Sequence, residues 1–79
     1  MNKKVYESVK SGQSDNNIGY VDFRNLIIDL GFEFERKRGS HAIYYHAGLN
    51  EFMNIQPDGN KAKAYQIRQL RDIIKEHNL

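Results

Sequence analysis

Phe32-Glu33-Phe34-Glu35-Arg36-Lys37-Arg38-Gly39-Ser40-His41-Ala42-Ile43-Tyr44-Tyr45 is the stretch that decides the fold. Its two ends are rich in aromatic and β-branched residues, and the Gly-Ser pair between them can reverse the chain, so the unit reads as a β-hairpin. With residues 37–40 as the loop, Arg36 faces His41, Phe34 faces Ile43 and Phe32 faces Tyr45. One face is then apolar and ends in a rim of cations and imidazole. A two-residue loop keeps the same faces, because pairing parity is unchanged. Arg36, Lys37 and Arg38 lie within a few residues of His41, and a polyanion is the natural ligand of such a place.

Working outward, Asp22 is placed to cap a helix whose Phe23, Leu26, Ile27 and Leu30 recur at i, i+3, i+4 and i+7, with Ile28 off that stripe toward a first helix. Gly31 supplies the left-handed residue that ends it. Upstream, Asn2 to Lys10 carries Val5 and Val9 one turn apart beside Tyr6, a short helix with a narrow stripe expected to pack loosely at the domain edge. The turn-rich segment Ser11 to Gly19 links the two, with Ile18 tucked inward. Downstream, Ala47 to Asn50 forms a second turn. A third strand, Phe52 to Pro57, points Met53 and Ile55 one way and Asn54 and Gln56 the other. Pro57-Asp58-Gly59-Asn60 is a turn, and about Tyr65 to His77 is a helix burying Ile67, Leu70, Ile73 and Ile74. Arg68, Arg71 and Lys75 recur on its other side, with Asp72 spaced to pair Arg68.

Helices on one face of a three-stranded antiparallel meander give an α+β two-layer sandwich. The α-β-β-β-α order is that of a double-stranded-RNA-binding domain, with the first helix as an extra: residues 1–19 are the N-terminal helix and connection, and 20–79 the domain proper.

The 79 residues make one small domain with a modest core, and without cysteine neither disulfides nor a thiolate zinc site can hold it together. That composition suits a reducing cytoplasm. No apolar run approaches the length of a membrane span, and Met1-Asn2-Lys3-Lys4 leads into Val5-Tyr6-Glu7, unlike a signal core, so a soluble intracellular protein is expected, with no membrane partner. The net charge of +2 is mild, but residues 1–31 balance four bases with four acids, whereas 36–41 and 61–75 together hold eight bases against one acid. Such a stripe can follow a phosphate backbone; an ordinary solvated face is the plain alternative.

Of the three histidines, His41 is the candidate for chemistry. RNA cleavage can use the adjacent 2′-hydroxyl as nucleophile and needs a base, a donor for the leaving oxygen and cations on the phosphate, and imidazole suits proton transfer near neutrality. A hairpin-end histidine bonded to a backbone carbonyl is the structural alternative. His46, five residues along the strand, falls about 17 Å away on the other face, and His77 reads as a cation at a helix C-terminus. Tyr45, Lys37, a substrate-bound water or no group at all is left as second proton carrier. Arg36 or Arg38 suits a phosphate clamp, Tyr44 on a polar sheet face can stack a base, and Lys61, Lys63 and Arg68 stand near the start of the last helix, where such folds meet phosphates. No clustered carboxylates or His-x-x-x-His pattern points to a metal, and no cofactor is implied.

Gly39-Ser40-His41 in the second strand, preceded by Leu30-Gly31-Phe32 and basic residues and followed by Leu70-Arg71-Asp72-Ile73-Ile74, resembles the HicA family of toxins, over about Tyr20 to Leu79. Asn54-Ile55-Gln56 and Gly59 to Ile67 further resemble a branch with a longer N-terminus. The resemblance implies a double-stranded-RNA-binding-like fold, metal-independent endoribonuclease cleavage of mRNA with His41 as the catalytic histidine, and neutralisation by a HicB-type antitoxin that covers the active site. The RNA surface is then Arg36, Lys37, Arg38, Ser40, Lys61, Lys63 and Arg68. Ala42 stands where many members carry a second histidine or other bulky residue, and Ala64 where many of that branch have proline. A non-catalytic RNA-binding module and a partner-binding protein are the competing readings.

Overall fold

The computed structural model describes all 79 residues as α1 (Lys3–Ser11), α2 (Tyr20–Asp29), β1 (Glu33–Arg38), β2 (His41–His46), β3 (Glu51–Ile55), β4 (Pro57–Asp58), β5 (Lys61–Ala62) and α3 (Ala64–His77). The strands β1, β2 and β3 form an antiparallel meander in that order, and one core unites residues of all three helices with Phe32, Tyr44, Met53, Ile55 and Ala62. The helices therefore lie on a single side of the sheet, in the α+β two-layer arrangement that the pattern predicts. No helix is long and apolar enough to cross a membrane.

The hairpin turn is tighter than the four-residue loop of the sequence reading. Gly39 and Ser40 alone make it, and Gly39 adopts φ 59°, the left-handed value that a primed two-residue turn requires at its first central position. Arg38 consequently pairs His41, Lys37 pairs Ala42 and Arg36 pairs Ile43. Glu35 is then left over: the register shifts between Phe34 and Arg36, so that Phe34 pairs Tyr44. This bulge corrects the expected facing. Phe32, Phe34, Ala42 and Tyr44 share the helix side, whereas His41 and Ile43 lie on the bare side with Arg36 and Arg38. Tyr44 is 5% exposed and packs edge-on against Phe34. It is a core residue, not a stacking platform on a polar face. Ile43 is buried yet stands outside the core cluster.

Five expectations about the helices are also corrected. Gly19, not Asp22, occupies the N-cap of α2, and Asp22 sits in the first turn. Ile28 is exposed instead of meeting α1. α1 is no loose appendage: Asn2 caps it, Val5 and Val9 enter the main core, and Val9 is fully buried. Full burial of a valine contributes about 1.5–3 kcal/mol. Finally, Arg71 does not belong to an exposed basic row. Its Nε donates to the Val9 carbonyl at 2.9 Å and its Nη1 and Nη2 to Asp15 Oδ2 at 3.3 and 2.6 Å, fastening α3 to α1 and to the connection after it. No ion pair joins Arg68 to Asp72.

The segment after β3 also forms more structure than a turn. Pro57–Asp58 and Lys61–Ala62 pair as a small ribbon around Gly59, and the connection from α1 docks on it through Ala62 N–H to the Ile18 carbonyl and Tyr20 N–H to the Asn60 carbonyl, both 2.9 Å. Ile18 is buried there as expected.

Candidate nucleic-acid interface and active site

His41 opens β2 directly opposite Arg38, at the turn end of the sheet and on the face no helix covers. Its ring is half-buried, and Nδ1 lies 2.9 Å from Asn54 Oδ1 on β3. Asn54 reaches it because β3 pairs Asn54 with Ile43, one step along the same face. An amide oxygen can only accept, so this bond requires Nδ1 to carry the proton, and in the neutral ring it leaves Nε2 with a free lone pair. The sequence pattern sets Asn54 opposite Met53 and Ile55 but puts His41 on the apolar face, so only the observed register brings the two together.

The cations named from sequence divide between two sides. Arg36 and Arg38 share the bare face with His41; Arg36 meets only Glu35, at 3.8 Å and exposed, a contact worth little in water. Arg38 has no ion-pair partner. Lys37 leaves the strand on the helix side, opposite Ala42. Ser40 Oγ accepts from Gln56 Nε2 at 2.6 Å, and Gln56 Oε1 accepts from Lys63 Nζ at 3.0 Å, so a polar chain ties the hairpin turn to the residue capping α3. Lys61 donates to Asn17 at 3.3 Å, and Arg68 is exposed on α3.

Farther along the bare face, Tyr45 and Phe52 stack with ring centroids 4.5 Å apart, and Phe52 is 49% exposed. An aromatic pair in line with basic residues is what a sheet offers to unstacked bases. Tyr45 is four residues from His41 and donates its hydroxyl to Asn50. Neither it nor Lys37, on the other side of the sheet, is brought to the imidazole as a second proton carrier. His46 lies on the face opposite His41, as its spacing predicts, and that face is the helix side, where it packs edge-on against Phe32. His77 is engaged as well, its Nε2 lying 2.9 Å from Glu51. Glu51, Glu76 and His77 form the one cluster of potential metal ligands, and Glu51 pairs with His46 at the end of β2 away from His41.

The fold and the site define a small α+β domain carrying an oriented imidazole and arginines on an uncovered sheet face. No protein-family model, curated protein or solved structure matches the chain.

Proposed function

We propose that the chain is an endoribonuclease toxin of the HicA type, acting on mRNA without a metal and held in check by a HicB-type antitoxin. The observation that carries the reading is His41 with Nδ1 fixed by Asn54, Nε2 free, and Arg38 directly opposite. In the reaction, Nε2 takes the proton of a ribose 2′-hydroxyl. The resulting oxygen attacks the neighbouring phosphorus, forming the P–O2′ bond as the P–O5′ bond breaks. The leaving 5′ oxygen is protonated from water, giving a 2′,3′-cyclic phosphate and a 5′-hydroxyl. Arg38 and Arg36 supply the charge that stabilises the phosphorane, and a planar guanidinium binds two of its oxygens together. Asn54 acts through His41 and is a positioning residue.

A cytoplasmic site of action follows from the substrate. Expression in a bacterial host should arrest growth, and co-expression of a short acidic protein encoded beside it should relieve the arrest. Normal growth with intact mRNA despite abundant folded protein would contradict the proposal. A non-catalytic RNA-binding module is favoured by one separate observation, the half-exposed Tyr45–Phe52 stack; it predicts salt-dependent RNA binding with no turnover.

A further inference from the structure

A depression of about 330 Å³ lies on the helix side of the hairpin, between α2 and β2, away from the His41 face. Its walls include Tyr20, Arg24, Phe34, Lys37, Ser40 and Tyr44, and no acidic residue lines it. Three features set it apart. Neither Arg24, half-buried, nor Lys37 has an ion-pair partner. Among the five tyrosines, the hydroxyls of Tyr6, Tyr45 and Tyr65 are hydrogen-bonded within the chain; the two without a partner, Tyr20 and Tyr44, both line this depression. Tyr44 is 5% exposed, and its hydroxyl is the part that stays open to solvent, at the lining of this depression. The third feature is Phe34, whose ring is 58% exposed at the edge strand, a flat apolar surface beside the cations.

Two cations and two O–H donors converging without an acid are complementary to a phosphate, and the ring beside them to a base. Burial and the proximity of Tyr44 hold the Tyr20 phenol above its ordinary pKa, against the opposing pull of Arg24, so it stays a donor at neutral pH. We propose that this depression is a second nucleotide subsite, taking a phosphate of a single-stranded RNA between Arg24 and Lys37 with the attached base against Phe34. The RNA assignment rests on the reading of the His41 face. β1 is an edge strand with Arg36 and Arg38 on one side and Lys37 on the other, so a strand crossing that edge meets cations continuously from the scissile phosphate to the subsite.

The test separates the subsite from the nuclease. Backbone amide NMR of the full chain is followed during titration with AMP, adenosine and inorganic phosphate. AMP should shift the amides of Arg24, Lys37 and Ser40 saturably, phosphate should do so more weakly, and adenosine should bind about tenfold less tightly than AMP. Arg24→Gln with Lys37→Gln should lower AMP affinity about tenfold and Tyr44→Phe about threefold, with native spectra in both. On an RNA substrate, the double variant should raise KM about fivefold or more at unchanged kcat. Equal binding of AMP and adenosine, AMP shifts confined to the His41 face, or an unaltered KM would overturn the subsite. A wild type that cleaves no RNA while AMP still maps to Arg24 and Lys37 would remove the nuclease and leave a nucleotide-phosphate site standing.

Discussion

Around Arg71 three guanidinium nitrogens are directed into the protein, to one carboxylate oxygen and one backbone carbonyl, and the side chains of Arg71 and Asp15 are each only 15% exposed. Around Arg38, opposite His41 on the bare sheet face, the same group has no carboxylate at all. The first arginine is a fastener between α1 and α3; the second is left to whatever reaches it from solvent. A guanidinium's role is thus set by how much of its hydrogen-bonding capacity the fold consumes, and the basic residues of this chain sort into those two groups.

The sharpest way to break that division is to remove the fastener. Arg71→Ala leaves the largely buried Asp15 carboxylate without its cation, and its Oδ1 already has no partner. The expected loss is about 2–4 kcal/mol of stability, and thermal unfolding should fall by roughly 10–20 °C. A change of under 2 °C would mean the seam is incidental. Gly12→Ala probes the same seam from the backbone side: Gly12 has φ 73°, and a Cβ there would stand 2.8 Å from Arg71 Nη1. Urea denaturation should show a loss of about 1–2 kcal/mol.

The other group should respond in activity and not in stability. Replacing Arg36 and Arg38 by Gln should lower kcat about a hundredfold, because the two guanidiniums stabilise the phosphorane, while ground-state binding of single-stranded RNA changes least, weakening severalfold with a slope of log affinity against log salt reduced by about 1.4. Asn54→Ala is expected to lower kcat about tenfold at unchanged KM and with an unfolding midpoint near that of wild type, because it releases the imidazole tautomer without touching substrate. An equal rise in KM would instead make Asn54 a substrate contact.

The helices and the core were readable because their apolar residues keep a strict period: Phe23, Leu26 and Ile27 in α2, and Ile67, Leu70, Ile73 and Ile74 in α3, are buried as spaced. The face of β2 was not readable. Ala42-Ile43-Tyr44-Tyr45 is apolar on both parities; Tyr44 goes inward through its pairing with Met53, and the bulge at Glu35 brings Phe34 to the same face, a single unpaired residue that leaves no mark on composition. At the site, His41 and its arginines announced themselves in six consecutive residues, but Asn54 is 13 residues away and becomes a partner only through strand register. The inward role of Arg71 is hidden in the sequence for the same reason. Its carboxylate is 56 residues distant, and helical spacing alone cannot distinguish a cation that faces water from one that faces Asp15.

The central claim is that one imidazole on the bare face moves the proton in RNA cleavage. It is tested by incubating wild-type chain and His41→Ala with a defined single-stranded RNA in the presence of a chelator, with RNA affinity and thermal unfolding measured in parallel. The expected result is cleavage by the wild type to 2′,3′-cyclic phosphate ends and a loss of at least about a thousandfold in the variant, with folding and RNA affinity retained. Cleavage by the variant at the wild-type rate would contradict it.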